Sequence, residues 1–584
     1  MKRPYILLLY VQRMIYKRTF EFLDNLGLMT LAAYLEERGY KARVFTGITT
    51  DAMACFQKEW RSARPDVVGF YCDYDNQSSV EAMSRHLRER FGVPVVVGGP
   101  QAIHLGREFL ERSQCSFLVR GDGEEPLYEI MEWMRHGQGS LDTIRGVLYL
   151  DEAGKLVETG ARPLLTDLDR LPFPRTAHLL GRDAKYNLSV LSARGCPFRC
   201  AFCYEGGNTK NLRMRRVETV VEEIRLGLEE NPQVKYVWFV DDTFTVNADR
   251  TAHFCEALAA LRQRWDFVWF CEGHAAVLAR HPQLIPMMVE AGMARMQIGM
   301  ESGWQPALEA YGKQATVDQI EEVVRRCYEA SLPQLAGNFI IGGAHDSEVT
   351  LEMTAAYAEG LHRMAPGMLD LSTTFVIPLP NTAITNCPAR FRLTLIDAES
   401  YTSLEDYPVT ETAHLSVNEV SRWRYRFVQR NFDTMKELFA SGQVPHGRIR
   451  QHFTLAHRYG VTSTWFKFAF NKDPLTNAYY SLLTTGKAKE WNDLSRGERE
   501  MAYPSRVFDL DEALQWFEGR PVLEGRMLTP LEYELLQLCG GTLCCCHIAG
   551  LLAERHPKGM IEGHSLRRLF EEFAQRHWIV FLPE

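Results

Sequence analysis

The sequence predicts an α/β protein. A doubly wound parallel sheet occupies residues 1–140, a partial (β/α)6 barrel residues 186–400, and a helical region with a small winged-helix-like module the remainder. Three observations carry this expectation. Short β-rich runs alternate with helical patterns in two separate series, the signature of parallel sheets built from βα units. A proline-marked stretch without that alternation divides the two series. The chain's 584 residues also exceed the roughly 250–300 that one core supports, so several domains are required.

In the first series the strands are Tyr5–Tyr10, Lys41–Phe45, Asp66–Cys72, Pro94–Gly98 and Phe117–Val119. Ligands of such sheets bind beyond the carboxyl ends of the strands, which directs attention to the loops Val11–Arg18, Tyr71–Gln77, Gly98–His104 and Gly121–Glu125. Residues 141–185 read as a linker with a hairpin, Gly146–Leu150 and Leu156–Glu158, followed by Leu171–Pro174. The second series places strands near Leu188–Ser192, Tyr236–Val240, Phe267–Cys271, Arg295–Met300, Gly337–Ile341 and Leu371–Ile377, with an active site expected at their carboxyl ends. Residues 401–520 read as helical and aromatic-rich, and 521–584 as the small winged-helix-like module.

A net charge of −8 with no long basic run leaves no electrostatic footprint for nucleic acid or anionic lipid. The apolar run Tyr5–Val11 is shorter than the roughly 20 residues of a membrane span and reads as a buried strand of a cytoplasmic protein. Fourteen scattered cysteines fit a reducing compartment. One group of them has ligand spacing.

That group is Arg194-Gly-Cys196-Pro-Phe-Arg-Cys200-Ala-Phe-Cys203-Tyr204, immediately after the first strand of the second series. Iron–sulfur clusters take cysteine thiolates, normally four, so three leave one iron open for chemistry. The alternatives are a zinc site lacking its fourth ligand, or packed thiols.

Cys-x-x-x-Cys-x-x-Cys with an aromatic, Phe202, before the last cysteine resembles the radical S-adenosylmethionine (SAM) superfamily. The resemblance implies a 4Fe-4S cluster on Cys196, Cys200 and Cys203. Its open iron chelates the amino and carboxylate groups of SAM, and an electron from the reduced cluster cleaves SAM to a 5′-deoxyadenosyl radical. Later strands follow the family's order over roughly Asn187–Thr382. Asp241 and Asp242 stand where relatives bind the methionine amino group, with a solvated turn or helix cap as the alternative. Gln297, Glu301 and Ser302 lie on and after the fourth strand, where relatives contact ribose and carboxylate; a satisfied turn is the alternative. Asn338, Gly342 and Pro378 belong to segments resembling the adenine-holding strands, where glycine equally marks a bulge or turn.

Before a radical SAM barrel, a doubly wound domain implies cobalamin or a degenerate scaffold. Gly98-Gly99-Pro100-Gln101 and Gly121-Asp122-Gly123-Glu124 resemble the two glycine-bearing turns of cobalamin-dependent members, where backbone lies close to the corrin and its nucleotide tail. Many cobalamin proteins supply a lower histidine from Asp-x-His-x-x-Gly. The loop Val11–Lys17 contains no histidine, so the lower face is expected to be covered by the loop after the third strand, by Tyr71, Asp73, Tyr74 or Asn76.

Glu272 and His274, at the end of the third barrel strand, are the candidate substrate-facing catalytic groups; a hydrogen-bonded structural histidine is the alternative. Arg422–Phe427 either faces substrate or packs one side of a helix. Cys544-Cys545-Cys546-His547 invites a metal reading, but successive helical residues diverge by about 100°, so packing is expected.

The resemblance implies a cobalamin-dependent methyltransferase that moves a methyl group from SAM, through methylcobalamin, to a carbon of a peptide or natural product. The electron donor would be a flavodoxin or ferredoxin. The alternative keeps both cofactors and performs a cyclisation, oxidation or rearrangement, and a non-catalytic cluster-bearing module is the third reading. The C-terminal module Leu528–Leu582, including Leu528–Cys539, resembles small helical units appended to maturases of ribosomally made peptides.

Overall fold

The computed structural model describes residues 3–12, 25–137, 140–180, 187–204, 212–396, 407–467, 474–556 and 563–583. The chain forms two compact units, one of Met1–Ala365 with Leu371–Phe432, the other of Pro366–Asp370 with Asp433–Glu584.

The larger unit opens with strands β1 (Tyr5–Gln12), β2 (Lys41–Ile48), β3 (Val67–Tyr71), β4 (Val95–Gly98) and β5 (Phe117–Val119). β1 is apolar almost throughout because both its faces are covered, as in parallel sheets flanked by helices. Successive side chains alternate faces. Leu7 and Leu9 therefore join Phe56, Val68 and Leu87 on one side, while Ile6 and Leu8 join Leu28, Leu35 and Ile130 on the other. The first five strands pair in parallel, in the order β2-β1-β3-β4-β5. The hairpin read as part of a linker, β6 (Val147–Leu150) and β7 (Leu156–Glu158), extends this sheet antiparallel at β5. Val147 and Leu148 are buried, which draws their backbone groups into the ladder. From residue 13 onward, the loop Val11–Lys17 lies outside the described residues.

The second sheet begins at β8 (Asn187–Val190), followed by a small antiparallel pair, β9 (Ala193–Arg194) and β10 (Arg213–Met214). It continues with β11 (Tyr236–Phe239), β12 (Val268–Gly273), β13 (Met293–Glu301), β14 (Gln334–Ile341) and β15 (Leu369–Phe375). Their order is β15-β14-β13-β12-β11-β8, with parallel pairing from β8 through β14. The six strands stand where the βα alternation placed them, as the partial barrel requires.

In the helix Val417–Ala440, Trp423 and Phe427 are buried while Tyr425 is exposed, so the aromatic and basic stretch packs one side and solvates the other. The smaller unit holds the helices His446–Tyr459 and Pro474–Thr484, and its core draws on both sides of residue 520: Trp491, Ala502 and Leu510 pack with Leu535, Ile548, Phe570 and Trp578. Its end consists of helices Pro530–Leu538, Cys545–Arg555 and Gly563–Gln575 and the strand Ile579–Leu582, which pairs antiparallel with Tyr503–Arg506. Among the described residues no helix is long and apolar enough to cross a membrane.

Candidate active site

The loop after β9 is held by backbone rather than by its cysteines. Gly195 takes φ +86°, which turns the chain away from the strand. The Ala201 N–H donates to the Tyr311 carbonyl at 2.7 Å, the Ile384 N–H donates to the Ala201 carbonyl at 3.1 Å, and Cys203 N–H donates to Cys200 O at 3.1 Å. Phe202 packs edge-on to Tyr311, ring centroids 5.2 Å apart, and so serves here to seat the loop. Cys196, Cys200 and Cys203 are half-buried thiols. Burial pushes the Cys200 thiol up to about 12, against the pull of the Lys313 ammonium. Three half-buried thiols in one loop, with the Lys313 ammonium acting on Cys200, fit an iron–sulfur cluster, which takes cysteine thiolates.

Within the loop, Phe198 lies flat on the His274 imidazole, centroids 3.7 Å apart and planes 9° from parallel. Both ring nitrogens of His274 are buried without a hydrogen-bond partner among the described residues. Burial first, then the cations Lys313 and Arg280, push this imidazole down to about 3, so it is neutral. The structural alternative, a hydrogen-bonded core histidine, does not describe it. Two unmatched polar atoms in a buried ring are costly unless a ligand meets them. Beside it, burial and then the Asp242 carboxylate push Glu272 up to about 7, with Gln297 Nε2 donating to Glu272 Oε1 at 3.3 Å.

The other sequence candidates of the barrel divide sharply. Asp241 is buried and accepts from Ser192 N–H at 2.6 Å and from the Ser192 hydroxyl, so it ties the end of β11 to the segment after β8. Asp242 next to it is exposed. Ser302 is spent in a turn, with Thr354 Oγ1 at 3.2 Å and the Trp304 N–H at 3.1 Å. Asn338 donates to Thr374 Oγ1 at 3.2 Å on the neighbouring strand. Gly342 has φ +77° and a Cβ there would stand 2.4 Å from Val420 Cγ1, so this glycine admits a helix. Pro378 sits half-buried just beyond β15.

Glu301 shows what sequence reading missed. It occupies a left-handed position, φ +60°, at a bulge between β13 and β14, and its buried carboxylate accepts from Lys313 Nζ at 2.9 Å. Burial alone would lower the Lys313 ammonium, but Glu301 and Cys200 outweigh it and hold it above its ordinary range. A Cβ on Gly299 would stand 2.1 Å from Glu301 Oε1 and 2.5 Å from Lys313 Nζ, so that glycine makes room for the pair. Nothing in the spacing around Lys313 announces a buried cation next to the cysteine loop.

At the carboxyl edge of the first sheet, Tyr71 packs edge-on to Tyr10, centroids 5.9 Å apart, and the Tyr10 hydroxyl donates to Asp73 at 3.3 Å. Asp73 accepts from the N–H groups of Asp75 and Asn76, and buried Asn76 donates to the Val11 and Tyr71 carbonyls. Asn76 thus locks the loop, along which Tyr71, Asp73 and Tyr74 stand half-buried. Gly98 ends β4; Gly99 has φ +109°, and a Cβ on it would lie 2.3 Å from the Cys72 carbonyl oxygen. Pro100 starts the next helix and Gln101 donates to Gln77 at 2.9 Å. Gln12 Oε1, at the same edge, is buried with no partner among the described residues. Half-buried tyrosines, close-set glycine backbone and an orphaned acceptor fit a broad, amide-bearing ligand such as a corrin.

The turn Gly121-Asp122-Gly123-Glu124 behaves differently from its sequence assignment. Asp122 accepts from Arg194 Nη1 at 2.8 Å, from Arg213 Nη1 at 2.5 Å and from the Leu165 N–H at 2.8 Å, and Glu124 accepts from Arg194 Nη2 at 2.6 Å. Burial raises the Asp122 carboxyl, but the hydrogen bond from Arg213 and the charge of Arg194 prevail and hold it below its usual range. These carboxylates are committed to Arg194 of β9, two residues before Cys196, and to Arg213 of β10. Gly123 meets Leu31, and Gly121, exposed at φ +80°, makes the turn.

Residues 190–358 match the radical SAM superfamily, and residues 18–131 match the B12 binding domain. The chain is a cobalamin-dependent radical SAM enzyme. Its cofactors are a 4Fe-4S cluster, SAM and cobalamin. An uncharacterized methyltransferase of Pyrococcus horikoshii is 28% identical over 412 residues, covering 68% of this chain and 85% of the relative. The anaerobic magnesium-protoporphyrin IX monomethyl ester cyclase of Rubrivivax gelatinosus is 26% identical over 336 residues, 56% of this chain and 60% of the cyclase. In fold, the radical SAM methyltransferase TsrM from Kitasatospora setae, solved with cobalamin and a [4Fe-4S] cluster, has a TM-score of 0.59 at 14% identity, covering 83% of this chain and 99% of TsrM. OxsB, solved with aqua-cobalamin and SAM, has a TM-score of 0.58 at 17% identity over 83% of this chain and 71% of OxsB.

Proposed function

We propose that this radical SAM enzyme transfers a methyl group from SAM to a carbon of a peptide or natural-product substrate. One observation carries the reading: the buried ion pairs of Arg194 with Asp122 and Glu124 join the turn after β5 to the loop that bears Cys196. In sheets of both kinds ligands gather at the carboxyl ends of the strands, so these pairs hold the two cofactor edges against one substrate volume. When bound, cluster and SAM supply radical chemistry and cobalamin supplies the methyl group. The relatives named as methyltransferases support this reading.

The residues divide the remaining work. Cys196, Cys200 and Cys203 hold the cluster; Lys313, buried beside Cys200, sets a positive field there and orients Glu301. Asp242 offers a carboxylate to the SAM ammonium. Neutral His274, rigid on Phe198, accepts or donates one hydrogen bond to substrate at Nδ1 or Nε2. Glu272, with its carboxyl near 7, takes or releases a proton at its Oε atoms at working pH. Tyr71, Asp73 and Tyr74 face the corrin. A flavodoxin or ferredoxin supplies the electron, in the cytoplasm, and the short helical motif Leu528–Cys539 favours a ribosomally made peptide as substrate.

The likeness to the protoporphyrin cyclase favours a second reading, oxidation or cyclisation with the same cofactors. Reaction with SAM carrying a deuterated methyl group separates the two. Methyl transfer puts the label into product. Consumed substrate with deoxyadenosine formed and no label in product refutes methyl transfer in favour of the second reading.

A further inference from the structure

The smaller unit carries a second set of metal-binding groups, on a segment that plays no part in the proposed reaction. Divergence by about 100° per residue applies only inside a helix. Cys544 is the residue before the helix Cys545–Arg555, with φ −76° and ψ 161°, so its backbone is extended and its thiol folds back over the first turn. Cys544 Sγ stands 2.8 Å from Cys546 Sγ and 3.2 Å from His547 Nδ1. The three donor atoms all lie within 4.8 Å of one another. Cys545 alone follows the packing expectation, buried with Ile548, Leu552 and Trp578.

We propose that Cys544, Cys546 and His547 bind a divalent cation of the zinc class through two thiolates and one imidazole, with a fourth position open to solvent. The donor chemistry selects a borderline-soft ion over calcium or magnesium. Cys544 is buried and fixed, whereas Cys546 and His547 are exposed, so an ion reaches the group from solvent. Zinc–sulfur bonds of about 2.3 Å put two sulfurs of a tetrahedron about 3.8 Å apart, an opening that rotation of the exposed Cys546 side chain supplies. A helix N-terminus favours a thiolate, and Cys544 stands at one as its capping residue. Binding releases the two thiol protons to solvent. Among the described residues no fourth His, Cys, Asp or Glu joins the group, which leaves the last position to water.

The test uses the full chain with its cluster reconstituted anaerobically, loaded with zinc sulfate, desalted, and assayed for zinc and iron together. The wild type should retain about one zinc per chain. Cys546→Ser/His547→Ala should bind zinc about a hundredfold more weakly in competition with a chromophoric chelator, as removal of two of three ligands demands, with iron unchanged. Equal zinc affinity in wild type and double variant overturns the proposal, as does a Cys544–Cys546 disulfide in anaerobically purified protein. Should the double variant not fold, cobalt(II) added to the chain lacking Cys196, Cys200 and Cys203 decides the matter. A thiolate-to-cobalt charge-transfer band supports the site, and its absence refutes it.

Discussion

Replacing Arg194 with methionine tests the joint between the two sheets. The substitution keeps the length of the side chain and deletes its charge, so it removes the hydrogen bonds to Asp122 at 2.8 Å and to Glu124 at 2.6 Å. Their consequences differ. Asp122 keeps Arg213 and the Leu165 N–H. Glu124 keeps nothing that replaces the arginine: its side chain is 3% exposed, and its Oε2 already lacks a partner. Leaving one charge buried and unpaired costs about 3–5 kcal/mol. Glu124→Gln in the same chain removes that stranded charge, so a double-mutant cycle between the two positions should yield a coupling of about 2–3 kcal/mol. Arg194→Lys should not rescue, because an ammonium lacks the planar fork that reaches two acids at once. The assay is urea unfolding of the four proteins, with hydrogen exchange of residues 120–125 as a local readout. An Arg194→Met chain with wild-type unfolding and exchange, and a coupling below about 0.5 kcal/mol, would refute the reasoning.

Alanine at Cys196, Cys200 and Cys203 together should abolish cluster iron and visible absorbance after reconstitution, which iron assay checks directly. Gly99→Ala forces a Cβ to within 2.3 Å of the Cys72 carbonyl at φ +109° and should destabilise the first domain by about 2–4 kcal/mol; thermal unfolding and loss of bound cobalamin report it. Lys313→Met strands Glu301 and should cost about 3 kcal/mol or more, most of it recovered in Lys313→Met/Glu301→Gln. His274 has its folded value lowered to about 3, so its contribution to stability is present above its unfolded value and is lost as pH falls from about 6.5 toward 3. His274→Phe keeps the stack on Phe198 and should flatten that acid limb in melting curves taken between pH 8 and pH 5. Glu272, raised to about 7, acts with the opposite sign: its contribution is present below its unfolded value and is lost as pH rises from about 4.5 to about 7, and Glu272→Gln should remove that loss.

Several candidate site residues could be named from the sequence because their signal is local. The cysteine loop, the strand ends at Asp242 and His274 and the edge at Tyr71–Asp73 all follow from short runs whose spacing encodes both the element and the residue at its tip. Asp122, Glu124, Asp241, Ser302 and Gly342, for which the reading expected cofactor contacts, also meet other parts of the chain. A carboxylate or glycine at a strand end looks the same in sequence whether it meets a ligand or a neighbouring element.

The sequence by itself determined the two βα series, the order of the domains that bind cobalamin and SAM, and the three thiolates of the cluster loop, because contiguous spacing and period dictate them. Only tertiary structure decided that Arg194 lies against Asp122, 72 residues away, that Lys313 is buried against Glu301, and that His274 is neutral and without a hydrogen-bond partner among the described residues. It likewise decided that Cys544 turns back toward Cys546 and His547. Such pairings depend on which strand edges meet and how much water they exclude, and burial sets the charge of each group. No run of neighbouring residues carries that information.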